Sequence, residues 1–359
     1  MIRNALLWPW SVLYGLVLRL RHLLYDQQVL RSKEGALPTV VLGNLTVGGT
    51  GKTPLTELLV LELQRILGQE SVGILSRGYG RQSKGFLWVE PINTAADVGD
   101  EPLMLRRKLP EVVVAVCEDR LAGLERMQRE CPELKWVVCD DALQHRSLKP
   151  TLSILVLDAT QSVGKDHLLP LGRLRDLPSR MVKFDAAMVT RLEDGRDGAL
   201  EAALKAAGWP LHRVHFGSTM QPMPLRSYPT GEPAKDGLAN ASPSQRERIL
   251  AVAGIARPER FMERLTQRFQ VVRREVFADH GTFSEKDLKR WSVITESDRL
   301  QALVTTEKDV TRLDGMNTNG LDIRYEPIQA KLLPQTPLHD WLKSQIEKHH
   351  RQDSSARLS

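Results

Sequence analysis

Residues 46–53, TVGGTGKT, bring three glycines, a lysine and a threonine together in the spacing of a phosphate-binding loop. Such a loop follows the pattern GxxxxGK[ST] between a strand and a helix, and here Thr46 stands in place of the first glycine. The glycines let successive backbone N–H groups face the phosphates of a nucleotide at the N-terminus of a helix. Lys52 places a cation at the transferred phosphate, and the Thr53 hydroxyl is suited to bind Mg²⁺. The predicted nucleotide-binding residues are Thr46, Val47, Gly48, Gly49, Thr50, Gly51, Lys52 and Thr53.

Two adjacent aspartates, Asp140 and Asp141, end the apolar run at residues 136–139. A phosphate-binding loop works with an acidic residue at the end of a strand, which holds the metal ion of the nucleotide. We therefore expect Asp140 or Asp141 to hold Mg²⁺ together with Thr53, directly or through water. The alternative is that the pair only caps a helix beginning at Ala142.

The segment LSRGYGR, residues 75–81, carries Arg77 and Tyr79 directly after the second predicted strand. A loop at this end of a strand lies at the same sheet edge as the phosphate-binding loop, which favours contacts to phosphate or sugar. A surface turn without a ligand is the competing interpretation.

Three carboxylates occur within DVGDEP, residues 97–102, before a predicted helix. Phosphate transfer to an alcohol benefits from a carboxylate that orients the hydroxyl and accepts its proton. Asp100 and Glu101 are the candidates, although acidic residues at a helix start also stabilise the helix dipole alone.

Several arginines follow predicted strands or flank prolines, including Arg120, Arg173 and Arg175. An arginine near the γ-phosphate would stabilise the negative charge of the transition state, and the sequence leaves open which arginine does so. His280 lies on a loop behind a strand, where a single histidine is more often structural than catalytic. The segment TEKD, residues 306–309, is an imperfect version of a guanine-reading motif.

Short apolar strands alternate with amphipathic helices from about residue 38, which is typical of a mainly parallel sheet. The pattern is interrupted by a Pro-, Gly- and Ser-rich segment and then restarts at Ile249. The predicted strands are Thr39–Leu42, Val72–Leu75, Val112–Val116, Trp136–Cys139, Ser153–Leu157, Ala186–Thr190, Val271–Phe277, Leu303–Thr305 and Asp322–Tyr325, with a further strand from Ile249.

The predicted fold class is α/β, with a P-loop NTPase-like, mainly parallel sheet core, a smaller C-terminal α/β domain and an N-terminal amphipathic helix. The predicted boundaries are 1–36 for a membrane-surface helix, 37–226 for the P-loop core, 227–247 for a linker, 248–345 for the smaller domain and 346–359 for a polar tail.

The N-terminus is apolar and basic. The chain carries a net charge of +6 with a pI of about 9.2, and its first 33 residues hold five arginines or lysines against Asp26 alone. This asymmetry favours an anionic membrane surface over nucleic acid. The apolar run Ala5–Leu18 would extend about 20 Å as a helix, too short for a hydrocarbon core of about 30 Å. An interfacial helix and a helix packed on its own protein both remain open.

Seven motifs taken in order resemble the bacterial tetraacyldisaccharide 4′-kinases of lipid A synthesis. They are GNLTVGGTGKTP, SRGYGR, VGDEP, DDALQHR, LLPLGRLRD, DH at 279–280 and TTEKD, and they cover essentially the whole chain. The resemblance implies transfer of the ATP γ-phosphate to the 4′-hydroxyl of a lipid-linked glucosamine disaccharide 1-phosphate. It further implies a peripheral enzyme on the cytoplasmic face of the bacterial inner membrane, with no nucleic acid and no obligatory protein partner.

The resemblance also assigns roles to residues. Asp100 is the implied catalytic base with His280 as its partner, and Lys52 and Arg120 complete the catalytic set. Mg-ATP is implied at the phosphate-binding loop and the paired aspartates. The implied substrate-binding residues are Tyr79, Arg77, Glu101 and Arg175.

Two positions depart from the family pattern. Ala142-Leu143 replace the usual Gly-Phe after the paired aspartates, and Asp176 replaces the usual glutamate after Arg175. The alternative function is a P-loop GTPase or metal-insertion chaperone acting as a nucleotide switch, and a preference for GTP would distinguish it.

Overall fold

A computed structural model describes residues 2–161, 163–193, 198–237, 242, 245–279, 281–318, 320–334 and 337–356. Its strands are β1 Lys33–Glu34, β2 Thr39–Gly43, β3 Val72–Ser76, β4 Leu87–Trp88, β5 Val114–Val116, β6 Trp136–Cys139, β7 Leu148–Lys149, β8 Leu152–Asp158, β9 Ala186–Thr190, β10 His215–Pro222, β11 Arg226–Ser227, β12 Arg248–Ala253, β13 Gln270–Val276, β14 Ala302–Thr306, β15 Ile323–Glu326 and β16 Ile328–Leu332. Its α-helices are α1 Ile2–Asp26, α2 Lys52–Leu67, α3 Ala95–Val98, α4 Asp100–Lys108, α5 Arg120–Glu130, α6 Ala199–Ala207, α7 Glu259–Arg268, α8 Glu285–Ser297, α9 Glu307–Val310 and α10 Leu338–Ala356.

The larger sheet has nine strands in the order β16-β10-β9-β8-β2-β6-β3-β5-β4. The seven strands from β10 to β5 are parallel, and antiparallel strands close both edges. Every residue of β2, β3, β6, β8 and β9 is buried, as expected for strands covered by helices on both faces. Because β2 is central, the loop that follows it lies at the middle of the carboxyl edge.

Helices cover both faces of this sheet. Leucines of α2, α4 and α10 join one apolar cluster with the sheet, whereas residues of α5 and α6 join the cluster on the opposite face. In this doubly wound arrangement the sheet lies between two layers of helices. The helices hold the strands in place, and with them the strand ends that carry the site.

The smaller sheet has the order β11-β15-β14-β12-β13, with β11 antiparallel to β15 and the other pairs parallel. The α7 face is packed by Phe261 and Leu265, and the α8 face by Leu288 and Trp291. The chain thus builds a second α/β unit, in line with the predicted fold class.

The C-terminal segment differs from the predicted boundaries. Strand β16 pairs antiparallel with β10 and so belongs to the larger sheet, although its residues were assigned to the smaller domain. Helix α10 extends to Ala356, so residues 346–356, predicted as part of a polar tail, are helical. Leu338, Leu342 and Ile346 recur every fourth residue and bury one face of α10 in the larger core. The smaller sheet likewise begins at Arg226–Ser227, within the predicted core and linker.

Leu342→Ala is expected to lower the free energy of unfolding by about 2–5 kcal/mol, because Leu342 is fully buried in the core cluster. The measurement is urea unfolding followed by circular dichroism. Lys343→Ala, on the exposed face of the same helix, should change stability by less than about 0.5 kcal/mol. Equal stability of both variants would show that α10 does not pack in the core.

Helix α1 docks through one face. Ser11, Gly15, Leu18 and His22 are buried at spacings of three and four residues, which places them on a single stripe. The Ser11 hydroxyl donates to the Leu168 carbonyl at 2.8 Å. The helix is therefore partly a packed element of its own protein, one of the two interpretations left open by the sequence.

Both departures from the family pattern make structural contacts. The carboxylate of Asp176 pairs with His22 Nε2 at 2.6 Å, and Arg146 donates to His22 Nδ1 at 2.9 Å. This chain of contacts fastens α1 to the segment that carries Arg175. Leu143 is buried and packs against Gly43, where an added Cβ would meet the Leu143 side chain at 2.9 Å.

The opposite face of α1 is exposed and apolar. Its members, which lie away from the buried stripe, are Leu6, Trp10, Leu13, Leu16, Val17 and Leu20, each more than half exposed. In the described part of the chain, no helix combines the length and apolarity that crossing a bilayer requires.

Candidate active site

The phosphate-binding loop joins the end of β2 to the start of α2, as the sequence predicts. Gly48 and Gly51 have φ angles of 101° and 82°, a region that side-chain-bearing residues rarely adopt. Thr50 is buried, and its hydroxyl oxygen has no hydrogen-bond partner, while its carbonyl accepts from the Thr190 hydroxyl at 2.9 Å. The loop is thus held from β9 while a buried polar group remains ready for a ligand.

Asn44 organises the cations beside the loop. Its side-chain oxygen accepts hydrogen bonds from Lys52 Nζ at 3.2 Å and from Arg175 Nη2 at 2.6 Å. Its amide group donates to the Thr46 hydroxyl at 3.2 Å. Sequence reasoning missed Asn44, although a polar amide directly after a buried strand was a usable signal.

Asp141 lies between the two cations that Asn44 also contacts. Both of its carboxylate oxygens accept from Arg175, one of them at 3.0 Å, and Lys52 Nζ lies 3.7 Å from Oδ2. Burial raises the pKa of Asp141, but Lys52 and Arg175 outweigh this effect and hold the pKa below its usual value. Arg175, which the resemblance implies both at the substrate and near the phosphates, therefore lies beside the phosphate-binding loop and Asp141.

Asp140 is buried beside the start of α2. Its Oδ1 accepts from the Thr56 hydroxyl at 2.9 Å, which ties the end of β6 to the second turn of the loop helix. Burial, with Glu101 and Asp141 adding to it, raises the pKa of Asp140 to about 7. A carboxylate that is costly to ionise alone is well suited to a bound cation.

Arg120 begins α5 and is only 2% exposed. Its Nη1 donates to the carbonyls of Cys117 and Glu118 at 2.9 and 3.0 Å, while its buried Nε has no partner. Burial lowers the pKa of Arg120, and the nearby Arg77 lowers it further. A buried guanidinium with an unused donor is suited to an anionic ligand.

His145 lies within the same positive region and is kept neutral by it. Burial lowers the pKa of its imidazole, and the charges of Arg120, Arg21 and Arg77 act in the same direction against Asp119. Arg21 comes from α1 and donates to the Gln144 carbonyl at 2.9 Å. The structure thus brings Arg21 of α1, Arg77 and Arg120 together around His145 from three separated segments of the chain.

Asp100 opens α4 behind a tight turn at Gly99, whose φ is 95°. A Cβ on Gly99 would lie 3.1 Å from the Tyr79 carbonyl, so the loop of Arg77 and Tyr79 packs directly on this turn. Asp100 is 6% exposed, and its two oxygens accept from the Glu101 amide at 2.9 Å and from Arg312 Nη2 at 3.0 Å. Tyr79 itself is 68% exposed.

The smaller unit meets this turn through Lys308. Its Nζ lies 3.3 Å from Glu101, 3.5 Å from Asp279 and 3.8 Å from Asp100. Lys308 and Arg312 were not predicted as site residues: Lys308 lies in the TEKD segment, which the sequence did not link to Asp100, and Arg312 lies outside every motif. The predicted partner of Asp100, His280, lies outside the described residues.

The TEKD segment has a structural task in this fold. Asp309 is fully buried and accepts from the Gly254 amide at 2.9 Å, the Thr306 hydroxyl at 2.7 Å and Arg312 Nη1 at 2.8 Å. A carboxylate engaged in this way is not presented to a guanine base, which removes the sequence argument for a GTP switch.

The sheet is parallel, the loop follows its central strand β2, and an aspartate pair follows β6, which lies beside β2 in the sheet. This combination defines a P-loop nucleotide-binding enzyme. A family model described as tetraacyldisaccharide-1-P 4′-kinase matches residues 3–347. The chain belongs to this family, which confirms the resemblance predicted from the seven motifs. It is accordingly an ATP-dependent kinase.

Similar proteins agree with this assignment. A tetraacyldisaccharide 4′-kinase of Porphyromonas gingivalis is 35% identical over 348 residues, covering 92% of this chain and 93% of that protein. The corresponding protein of Bacteroides thetaiotaomicron is 36% identical, covering 86% and 82%. The crystal structure of LpxK from Aquifex aeolicus in complex with ATP is 27% identical, with a TM-score of 0.72 over 97% of this chain and 99% of that one.

Proposed function

We propose that this chain transfers the γ-phosphate of ATP to the 4′-hydroxyl of a tetraacylated glucosamine disaccharide 1-phosphate, a step of lipid A biosynthesis. The observation that carries the proposal is the meeting of two parts at one sheet edge. The phosphate-binding loop with Lys52 and Asp141 lies there, and Asp100 begins α4 in the connection between β3 and β5 of the same sheet. The relatives' name supplies the acceptor.

Binding of the triphosphate falls to the loop. Its backbone N–H groups and Lys52 neutralise the β- and γ-phosphates, and Arg175 adds a second cation at the same corner. The Thr50 hydroxyl gains a partner from a phosphate oxygen, since it has none within the protein.

The residues present fit Mg²⁺. The Thr53 hydroxyl, Asp140 and Asp141 are hard oxygen donors, and a protein usually holds this ion through one or two carboxylates together with phosphate oxygens. The described residues contain no group of three or more His, Cys, Asp or Glu side chains placed to hold a metal ion. When bound, Mg²⁺ supplies positive charge to the β- and γ-phosphate oxygens.

In the transfer, the acceptor oxygen forms a bond to the γ-phosphorus while the bond to the β,γ-bridging oxygen breaks and ADP leaves. Asp100, buried at the start of α4, accepts the hydroxyl proton. Lys52 and Arg175 hold the phosphoryl charge during the step. Each of these roles belongs to the proposal.

The acceptor has its own anion, the 1-phosphate. Arg77, Arg120 and Arg21 form the positive region around His145, and Tyr79 is exposed on the adjoining loop. We assign the sugar and its 1-phosphate to this region, with Glu101 at its edge towards Asp100. Arg175 is assigned to the nucleotide corner because it contacts Asn44 and Asp141.

The acceptor's acyl chains suit the exposed face of α1. Tyr14 donates to the Arg175 carbonyl at 2.9 Å, so the same helix contacts the site on one side and presents leucines on the other. A helix lying in the bilayer interface would place the site mouth at the headgroups. We propose a peripheral position on the cytoplasmic face of the inner membrane.

The double variant Leu13→Glu/Leu20→Glu is expected to reduce binding to phosphatidylglycerol-containing vesicles by at least about tenfold, because each leucine that the bilayer interface buries contributes about 1.5–3 kcal/mol. Both leucines are more than half exposed, so the fold should remain intact. The measurement is vesicle co-sedimentation.

The matched control is Val276→Glu/Val293→Glu, at positions 59% and 65% exposed on the smaller unit. It should bind vesicles like the unchanged protein. Equal binding by the α1 variant would remove the interfacial role of this helix.

The acceptor assignment is tested with two altered lipids in mixed micelles. A 4′-deoxy disaccharide 1-phosphate should receive no phosphate from ATP, whereas an acceptor without the 1-phosphate should be phosphorylated with a raised KM. Phosphate on the 4′-deoxy lipid would contradict the proposed site of transfer.

A further inference from the structure

Arg312 connects the smaller unit to the turn that carries Asp100. It lies in the short 3₁₀ segment Thr311–Leu313, 212 residues after Asp100 in sequence. Its Nη2 donates to Asp100 Oδ2 at 3.0 Å, and both side chains are 7% exposed. At this depth a charge-assisted hydrogen bond is strong and directional, unlike an ion pair on the surface.

The other side of the Arg312 guanidinium is fixed. Its Nη1 donates to Asp309 at 2.8 Å and to the Gly254 and Gly281 carbonyls at 2.9 and 3.3 Å. A Cβ at Gly254 would lie 2.8 Å from Nη1 and 3.0 Å from Asp309 Oδ1, so the pair packs directly on this glycine. The guanidinium therefore has little freedom to turn away from Asp100.

Asp309 is anchored in turn. It is fully buried and receives the Gly254 amide and the Thr306 hydroxyl on its second oxygen. The strand ends of β12 and β14 thus hold Asp309, Asp309 holds Arg312, and Arg312 reaches Asp100. A network satisfied at each of these steps is rigid, and that rigidity is what a positioning device requires.

At Asp100 this network completes the orientation of the carboxylate. One oxygen accepts from the amide of Glu101 in its own helix, and the other accepts from Arg312. Two donors on different oxygens define the plane of the carboxylate as well as its position. A base displaced by about 1 Å from its hydroxyl costs about 10²-fold in rate, so such orientation has kinetic weight.

We propose that Arg312, held by Asp309, is a positioning residue that aims the Asp100 carboxylate at the acceptor hydroxyl. This inference rests on the proposed function, since it assigns to the smaller unit a task in the same reaction. Arg312 contacts neither ATP nor acceptor in this account and acts through Asp100 alone.

The test compares Arg312→Gln with the unchanged protein in transfer of labelled γ-phosphate to the disaccharide 1-phosphate. We expect kcat to fall about 10- to 100-fold while the KM values for ATP and lipid change less than about threefold. Added guanidinium ion should restore part of the rate to an Arg312→Ala variant. Unchanged kcat, or a loss confined to KM, would overturn the proposal.

Arg324→Gln is the matched control, because Arg324 lies in the same unit, is 8% exposed and pairs with Glu247 and Asp322 away from Asp100. It should keep kcat even if its melting temperature falls as far as that of Arg312→Gln. An equal fall in kcat for both variants would show a structural role only and overturn the proposal.

A double-mutant cycle gives a second measurement, in which the effect of Arg312→Gln on the rate is compared with and without the Asp100 carboxylate. In an Asp100→Asn background, Arg312→Gln should cause no further loss of the residual rate, since its effect passes through Asp100. Additive losses would contradict the inference. If the unchanged protein failed to label the lipid, the proposed function would fail instead, so the two failures are distinguishable.

Discussion

Asp100→Asn is expected to lower kcat of lipid phosphorylation by about 10²- to 10⁴-fold, the usual contribution of a positioned general base. ATP affinity should remain close to that of the unchanged protein, because the loop, Lys52 and Arg175 are untouched. Asparagine keeps one acceptor oxygen for the Glu101 amide, so the turn should persist, whereas its NH2 group replaces the oxygen that accepts from Arg312. Steady-state kinetics and equilibrium binding of an ATP analogue separate these two expectations.

Asp97→Asn is the control for this variant. Asp97 lies three residues earlier, caps α3 by accepting from the Thr94 amide at 2.8 Å and its hydroxyl at 2.7 Å, and is exposed. It should retain near-normal turnover. Near-normal turnover by Asp100→Asn as well would remove Asp100 from the role of base.

Lys52→Ala is expected to reduce kcat/KM for ATP by at least about 10²- to 10³-fold, because it removes a preorganised cation from the transferring phosphoryl group. Its ammonium is held within 3.2 Å of Asn44 and 3.7 Å of Asp141, at the start of the loop helix. Asp141 keeps its bonds to Arg175, so the variant should fold. Initial rates over a range of ATP concentrations provide the measurement.

For comparison, Lys205→Ala removes an exposed lysine of α6 that pairs only weakly with Glu201 on the same helix. This variant should match the unchanged protein in rate and melting temperature. If Lys52→Ala behaved in the same way, the loop would not be the phosphate site.

The predicted fold class and phosphate-binding loop agree with the structure because both predictions depend on local sequence signals. The buried parallel strands read as short apolar runs, and the phosphate-binding loop is complete within eight residues. Strand β16 escaped prediction because it is a short, half-exposed edge strand. The apolar positions of α10 recur at four-residue spacing in the sequence. The polar residues near the end of the chain nevertheless favoured a polar tail.

Site residues could be predicted from the sequence only where they lie within a local motif or directly after a strand. Lys52 and Thr53 follow from the loop, and Asp140 follows from the end of a strand. The contacts of Asp100 with Arg312, and of His22 with Asp176, join residues 212 and 154 positions apart. Pairings of that separation depend on how two sheets and a helix meet, and no local spacing encodes them.

The central claim is tested most directly by incubating the protein with γ-labelled ATP, Mg²⁺ and a tetraacylated glucosamine disaccharide 1-phosphate in mixed micelles. The account predicts one labelled phosphate per lipid at the 4′ position, formed by the unchanged protein and lost in Lys52→Ala. ATP hydrolysis without any labelled lipid, by an intact and folded protein, would contradict it.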